Sequence, residues 1–416
     1  MYRSLPAALA AAFAILAQPA SAETLTLEGA IARTFDIAPE MRAAEARADA
    51  LRAARNQAGV RPNPTVEVFA ENIAGTGPYQ FVDSPEITAT YAQQIERGGK
   101  REARVALAER EIDVAAAESA AERLNLAARV HRAYTEAVAA DAEVTLAAER
   151  LKAAEALAHE VERRVKAARD PLFAGTRAQT RVAEAKVDLE LAEHAREAAL
   201  GRLAALWGGD ADGLTLSTAD YLTFDHAAVG GDAVSELPDA AIFAARARRA
   251  EAAVALERAR RVQDPTVRGG LRYLRPADDV ALVAGVSIPL ARHDTNRANV
   301  ERALAERRRA EADAEVAAAQ RRRDLALANE RVHEARLEAV AVRDRVIPGA
   351  EKTLAQVREG YARGGFSYLD VAEAQDALAE ARARLVAAAQ AFHEARVDLD
   401  RLTGRFLTLV SKEEAR

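Results

Sequence analysis

The chain has 416 residues, of which 29% are charged and only 5% are aromatic, and its formal net charge is -6. This mild acidity predicts no nucleic-acid partner, because proteins that bind nucleic acid need a basic surface. The absence of cysteine excludes disulfides, thiolate metal sites and a cysteine nucleophile. A charged, alanine-rich and aromatic-poor composition favours long helices over compact cores.

The first 22 residues are typical of a secretory signal. Arg3 gives a positive start, residues 5–17 are apolar, and Ala20-Ser21-Ala22 forms a small-residue cleavage site. The apolar run is shorter than the roughly 20 residues that a membrane helix needs. We therefore expect an exported protein whose mature chain begins at Glu23, with no transmembrane helix.

A first β-hairpin is predicted at 65–95, after a helical pattern over 25–59. Residues 65–73 and 86–95 alternate between apolar and polar side chains, and a Gly- and Pro-rich loop at 74–85 connects them. Each strand has about the ten residues that a tilted membrane strand needs. The alternative is a small soluble β domain that caps a coiled coil.

A long helix is predicted at 100–170, a stretch without Gly or Pro, followed by a return helix at 177–206. At 1.5 Å per residue the long helix would reach on the order of 100 Å, which favours a rod or a tube over a globular core. Small apolar residues recur at spacing seven and predict close helix packing. The two series are Val130, Ala137, Val144, Leu151, Ala158 and Val165, and Leu126, Ala133, Ala140, Ala147, Ala154, Val161 and Ala168.

The same order of helix, hairpin and long helix recurs after a mixed Gly and Asp segment at 209–237. We interpret this segment as a linker or a small capping piece. A second unit at 238–410 contains a helix at 240–262, a hairpin at 266–290 with strands at 266–273 and 280–290, and a second long helix; residues 411–416 form a tail. The matches include Pro64-Thr65-Val66 with Pro265-Thr266-Val267, residues 106–110 with 303–307, and Gln179 and Gly208 with Gln375 and Gly404.

A series of matches in one order indicates an internal duplication of the unit at 23–208. The spacing between the duplicates shifts from 195 at the heptad seams to 196 beyond them. This shift predicts a kink or an inserted residue near Pro348-Gly349.

The duplication predicts an α+β fold in which long helices form a coiled-coil barrel and each chain supplies four membrane-length strands. Four strands cannot close a barrel, and open strand edges are not tolerated in lipid. Three copies would supply twelve strands, so we expect a homotrimer that completes a 12-stranded β-barrel among outer-membrane lipids.

Three motifs resemble those of the outer-membrane efflux family, the TolC-like trimeric exit ducts, over essentially the whole mature chain. They are Pro62-Asn63-Pro64-Thr65 with Asp264-Pro265-Thr266, the helix start at 96–101, and the stretch at 360–371. The Asn-Pro before the first strand and the Gly-Gly-Lys-Arg after the second are most similar to the CzcC-type branch that serves heavy-metal efflux.

The resemblance implies that the stretch at 360–373 forms the periplasmic tip of the helical tunnel. Tyr361 falls where the family has a gating tyrosine, and Asp370 and Glu373 fall where carboxylates ring the pore. Phe366 replaces an arginine that holds the closed state in the best-known members, and Ala174 replaces an aspartate in the first half. These two departures imply a different closing contact.

Spacing alone also places Asp370 and Glu373 on one helix face, where threefold symmetry would concentrate carboxylates. The alternative is a solvated helix face. Elsewhere the seven histidines take no metal-ligand spacing, and no nucleophile motif or phosphate loop occurs. The sequence therefore predicts no catalytic residue, no metal site and no cofactor, and the chain is not expected to be an enzyme.

The expected function is that of a passive exit duct in the outer membrane, with its helical tunnel in the periplasm. The resemblance implies a periplasmic adaptor and an inner-membrane RND-type pump as partners, and heavy-metal cations as cargo. One alternative is a duct for drugs or organic solutes. A second is the adaptor itself, which would carry one helical hairpin between β-rich domains, whereas here the hairpin is duplicated.

Overall fold

The computed structural model describes residues 24–80, 84–218, 220–225 and 238–407. The signal predicted at 1–22, the tail at 411–416 and part of the segment at 209–237 lie outside the described residues. Within the described part, helix, hairpin, long helix and return helix follow one another twice, in the order that the duplication predicts.

The bounds of the helices and strands are as follows. The helices are α1 (Leu27–Ile37), α2 (Pro39–Ala58), α3 (Lys100–Lys166), α4 (Leu172–Ala205), α5 (Pro238–Ala259), α6 (Arg297–Ala341), α7 (Ile347–Arg363) and α8 (Tyr368–Thr403). The strands are β1 (Thr24–Leu25), β2 (Thr65–Glu71), β3 (Glu86–Gln94), β4 (Thr215–Leu216), β5 (Thr266–Leu274) and β6 (Asp279–Ser287).

Several boundaries differ from the prediction, and proline explains most of them. The residue before a proline is disfavoured in the helical conformation. Accordingly, α3 ends at Lys166 rather than at 170, just before Asp170-Pro171, and α4 begins directly after Pro171 rather than at 177. The helix predicted at 25–59 is split where Ala38, with ψ 127, precedes Pro39. Strand β6 ends before Pro289, which has no N–H to donate.

The described part of the segment at 209–237 is not a free linker. Strand β4 pairs in parallel with β1, with Thr24 opposite Thr215. Further along, the Tyr221 hydroxyl donates to the Val386 carbonyl at 3.0 Å, and the Phe224 ring meets the Phe392 ring edge-on with centroids 5.5 Å apart. The segment thus packs against α8 as part of the largest apolar core.

The two hairpins join into one antiparallel sheet with the order β2-β3-β5-β6. The junction between the repeats is the β3–β5 pairing, which runs from Glu86 opposite Leu274 to Gln94 opposite Thr266. Strands β2 and β6 each have one edge without a partner among the described strands. The sheet of a single chain therefore ends in two open edges.

Helix α3 is the central helix of the helical region and packs against helices of both repeats. Its N-terminal part packs against α2 and α5, and its C-terminal part packs against α4 and α8. The heptad seam is confirmed, since Val130, Ala137 and Val161 are each 0% exposed. Ala168 is the exception: it is exposed and lies beyond the helix end.

Ion pairs connect the helices where the seam residues are small. Glu118 of α3 accepts from Arg47 of α2 at 2.7 Å and from Arg246 of α5 at 2.8 Å. Asp239 at the start of α5 pairs with Arg321 of α6 at 2.8 Å and with Arg401 of α8 at 2.5 Å. Alanine seams supply little buried area per residue, and these pairs fix the helix register across the repeats.

A π-helical turn at Val342–Val346 separates α6 from α7. Such a turn accommodates one extra residue in an α-helix. Pro348 follows directly and removes one backbone N–H from the helical ladder. The inserted residue expected from the change in repeat spacing is therefore confirmed.

Gly270 of β5 lies in close contact with β3 of the first repeat. A Cβ at this position would lie 2.1 Å from the Ala89 carbonyl oxygen, whereas a Cβ at the adjacent Gly269 would meet nothing within 4 Å. We expect Gly270→Ala to weaken the β3–β5 junction by about 1–3 kcal/mol, as overpacking does. Gly269→Ala is the matched control and should leave stability close to wild type.

The measurement is the temperature at which the folded, membrane-extracted protein loses its compact band on semi-denaturing gels. A lower temperature for Gly270→Ala, with Gly269→Ala unchanged, is expected. Equal behaviour of the two variants would mean that the repeats do not approach so closely.

Candidate functional site

Strand β3, which lies inside the four-stranded sheet, exposes its apolar face and buries its polar face. On β3, Thr88 and Thr90 are 4% and 6% exposed, whereas Ile87 and Tyr91 are 47% and 53% exposed. In a water-soluble sheet that packs on a core, the pattern is the reverse. The register aligns further exposed apolar side chains on the same face, namely Val66, Val68, Leu271, Leu282 and Val286.

The opposite face of the sheet carries charge. Arg272 of β5 donates to Glu86 at 3.1 Å and to the Thr88 hydroxyl at 3.0 Å, and its guanidinium lies 3.4 Å from Glu71. The polar face therefore links three strands through one arginine. An apolar exterior and a charged interior are what a membrane strand with a water-filled lumen requires.

The tip, defined as the turns at 167–171 and 364–367 with the adjoining helix ends, lies at the other end of the long helices. Four helices meet there around a second, smaller apolar core. Ala174 is 3% exposed within this core. A carboxylate at position 174 would be desolvated, so the alanine fits this packing. The core comprises Leu157, Ala158, Val161, Ala174, Ala178, Tyr361, Tyr368, Val371 and Ala372.

Tyr361 connects the two turns of the tip. Its side chain is 1% exposed, and its hydroxyl donates to Asp170 Oδ2 at 2.6 Å. Arg164 donates from Nε to the same Oδ2 at 3.0 Å and from Nη1 to the Tyr361 carbonyl at 3.0 Å, with its guanidinium carbon 4.1 Å from the tyrosine ring centroid. We call Arg164, Asp170 and Tyr361 the tip triad.

The tip triad shifts the acidity of its members. Burial alone would raise the pKa of the Asp170 carboxyl, but the hydrogen bonds from Arg164 and Tyr361 outweigh it and hold the pKa below its usual value. Burial and the Asp170 carboxylate together raise the pKa of Tyr361. The triad is therefore an ion pair with a neutral phenol as a second donor.

Phe366 is half exposed and lies over Gly360. A Cβ at Gly360 would lie 2.0 Å from Phe366 Cδ2, so only glycine allows the ring this position. Phe366 thus contacts the end of α7, where the resemblance implied an arginine in the best-known relatives.

Asp370 and Glu373 have different surroundings. Asp370 Oδ2 accepts from the Ser367 backbone N–H and hydroxyl, each at 2.7 Å, which closes a capping box at the start of α8. These bonds from Ser367 lower the pKa of the Asp370 carboxyl. Glu373 is exposed, one turn further along. Asp370 thus has a structural partner that the sequence analysis missed, and the pore role of both residues stays a prediction.

The tip also presents apolar side chains to its surroundings. Leu172 and Phe173 are 82% and 61% exposed beside the first turn, and Phe366 and Leu369 are each 48% exposed beside the second. Apolar side chains from two separate turns gathered at one end of a helical bundle are typical of a contact surface.

The described ranges contain no group of three or more His, Asp or Glu side chains placed to share a metal ion. None of the helices in the described part of the chain is both long and apolar enough to cross a membrane.

A duplicated sheet with an apolar exterior, joined to helices of which one has 67 residues, defines the class of duct-forming membrane proteins. The chain belongs to the outer membrane efflux protein family, which it matches over residues 32–209 and 229–405. The resemblance noted from the sequence motifs is thereby confirmed, and so are the α+β fold class and the outer-membrane location.

Individual relatives agree with this assignment. The chain is 29% identical over 399 residues to the cobalt-zinc-cadmium resistance protein CzcC of Cupriavidus metallidurans, covering 92% of this chain and 91% of that protein. The fold is similar to the outer membrane protein VceC of Vibrio cholerae, with a TM-score of 0.71, 20% identity, and 91% and 96% of the two chains covered. It is also similar to CusC, with a TM-score of 0.74, 16% identity, and 94% and 95% covered.

The tip triad should resist mild acid. The pKa of Asp170 is lower in the folded than in the unfolded chain, where it is about 3.9. The carboxylate therefore stabilises the tip fully above the unfolded pKa, and this stabilisation is lost as the pH falls through the lower, folded pKa. We expect the local opening equilibrium of the tip segments in the wild type to stay the same from neutral pH to about pH 4, once the exchange rates are corrected for intrinsic exchange. Asp170→Asn should raise this opening about tenfold or more at neutral pH, since hydrogen bonds to charged groups contribute about 1.5–3 kcal/mol.

Hydrogen exchange followed by mass spectrometry over 157–178 and 357–372 measures this opening. Glu162→Gln is the matched control, because Glu162 is an exposed carboxylate near the same helix end whose partner is Lys166 of its own helix. Equal exchange in Asp170→Asn and in the control would show that the triad does not hold the tip together.

Proposed function

We propose that three copies of the chain form an exit duct that passes heavy-metal cations from a periplasmic adaptor and an inner-membrane RND-type pump to the exterior. The observation that carries the proposal is the sheet, which has an exposed apolar face, charged side chains on the opposite face and two open edges. Unpaired strand edges are not tolerated in lipid, and three copies supply twelve strands that close on one another.

The cargo is proposed from the relatives. CzcC is by its name a cobalt-zinc-cadmium resistance protein, and two further relatives are named for resistance to nickel, cobalt or cadmium. A duct needs no tight metal site, because an ion that binds tightly leaves slowly. Charge along the lumen is sufficient to favour cations over anions.

The partners are proposed from the tip. The exposed Leu172, Phe173, Phe366 and Leu369 offer an apolar contact surface at the end of the molecule farthest from the sheet. A periplasmic adaptor that binds this surface would cover it and could pull the two turns apart. The tip triad would then be the contact that the adaptor has to break.

The proposal is tested in a strain that keeps the pump and adaptor but lacks its duct. Expression of the chain should raise the tolerated concentrations of zinc, cadmium and cobalt ions several-fold, with little effect on organic antimicrobials. The Gly270→Ala variant, if it fails to assemble, serves as the negative control. Protection against organic solutes alone would support the alternative cargo instead.

The carboxylates near the tip yield a separate prediction on selectivity. We expect the reconstituted duct to prefer cations, and Glu373→Gln to reduce that preference about twofold or more, because Glu373 is exposed and each copy adds one charge to the constriction. Asp370→Asn should act differently, raising conductance by loosening the start of α8.

Reversal potentials across a planar bilayer under a salt gradient measure the preference. The matched control is Glu359→Gln, an exposed carboxylate on α7 that pairs with Arg363 of the same helix. A reversal potential unaffected by Glu373→Gln would leave Glu373 on a solvated helix face.

A further inference from the structure

The two repeats of one chain are held together by a contact at the base of the sheet. Asp264 lies two residues before the start of strand β5 of the second repeat. Its carboxylate accepts from the Arg97 backbone N–H at 2.9 Å and from the Gln94 amide at 3.3 Å, and it pairs with Lys100 Nζ at 2.7 Å. All three donors belong to the passage from β3 to α3 in the first repeat. The Asp264 carboxylate thus ties one repeat to the next.

The duplication gives each member of this contact a counterpart. Asn63-Pro64-Thr65 precedes β2 as Asp264-Pro265-Thr266 precedes β5. Helix α3 begins at Lys100 after Gly99, with φ 72 and ψ 24, and α6 begins at Arg297 after Asn296, with φ 55 and ψ 20. Both helices start from the same left-handed conformation. Asn63 is therefore the counterpart of Asp264, and Arg297 is the counterpart of Lys100.

Neither counterpart has such a partner among the described residues of its own chain. Asn63 is exposed, and its amide makes no hydrogen bond to another described residue. It lies between two prolines, and the Pro62 carbonyl is fixed by the Gln93 amide at 2.9 Å. Arg297 has a side chain that is 81% exposed and bonds to Glu301 of its own helix at 2.8 Å. Asn63 comes just before β2, and Arg297 begins the helix that follows β6; these are the two strands with open edges.

We propose that Asn63 of one copy accepts a hydrogen bond from Arg297 of the next copy, which repeats between chains the contact that Asp264 and Lys100 make within one. We call this the junction contact. The inference rests on the proposed trimer and names the residues that would join its subunits. An amide and a guanidinium replace the carboxylate and the ammonium, so the contact between chains is the weaker of the two.

The correspondence between the two repeats also predicts the register in which β6 of one copy pairs with β2 of the next copy. Thr65 lies opposite Ala92 and Thr266 lies opposite Ser287, so Ala92 and Ser287 are counterparts. Within one chain Arg268 lies opposite Ala92, and Arg268 is the counterpart of Glu67. The counterpart of Ala92, which is Ser287, should therefore lie opposite Glu67 of the next copy.

This register passes an independent check. It places Val286 opposite Val68 of the next copy, and both belong to the exposed apolar face of the sheet, at 62% and 65% exposed. A slip by one residue would turn the apolar face of one strand toward the polar face of the other. The counterparts were derived from the sequence match and the strand pairing without reference to exposure, and they keep the faces continuous.

The chain has no cysteine, so paired cysteines can test the contact without background. Asn63→Cys with Arg297→Cys, treated in outer membranes with a short rigid bismaleimide, should give dimer and trimer bands on denaturing gels. The single variants should give monomer. Lys100→Cys with Asp264→Cys is the matched control and should react within one chain, which shifts the mobility of the monomer band but gives no dimer or trimer band.

A second pair separates the two proposals. Glu67→Cys with Ser287→Cys should form disulfides between chains if β2 and β6 pair in the inferred register. Disulfides from this pair without cross-links from Asn63 and Arg297 would overturn the junction contact and leave the trimer standing. Failure of both pairs would overturn the junction contact together with the proposed closure of the sheet.

A charge change gives a third measurement. Asn63→Asp should raise the temperature at which the trimer dissociates, because it recreates the carboxylate present at Asp264. Combining Asn63→Asp with Arg297→Glu should lower that temperature below the wild type through like-charge repulsion. Equal dissociation temperatures in all three proteins would count against the junction contact.

Discussion

The structure depends on one constraint: every backbone N–H and C=O that enters a hydrocarbon phase needs a hydrogen-bond partner. Within one chain the β2–β3, β3–β5 and β5–β6 ladders meet this need for the interior of the sheet. The outer edges of β2 and β6 are left over, so assembly becomes part of folding. The exposed apolar face follows from the same constraint, because a sheet that has lipid as its solvent has no reason to bury Ile87 or Tyr91.

In the helical region, long helices are held side by side although the side chains between them are small. Seam residues such as Val130 and Ala137 let the backbones approach closely but bury little area each. Ion pairs that span three helices, such as those of Glu118 and Asp239, add specificity to the packing. At the tip, the ion pair of Arg164 and Asp170 and the phenol of Tyr361 are the polar contacts that add specificity to a small apolar core.

Much of this architecture follows from the sequence, because periodicity and duplication are properties of the chain itself. The change of period at residue 65, the seam of α3 and the extra residue before Pro348 all leave a local trace. The tip triad does not, because Tyr361 and Asp170 are separated by 191 positions and meet only through the fold. The capping role of Asp370 had a local trace, since Ser367 three residues earlier completes a capping box.

The π-helical turn at Val342–Val346 has a consequence for how the two repeats could diverge. One residue inserted into an uninterrupted α-helix would turn everything beyond it by about 100° around the helix axis, since a turn holds 3.6 residues. The π-helical turn absorbs the insertion in one wider turn, so the residues beyond it keep the faces of their duplicates. Ala178 and Ala374, which are duplicates 196 positions apart, are both buried, and so are Ala185 and Ala381. The two repeats can therefore differ in length above the tip and still pack their tip residues in the same way.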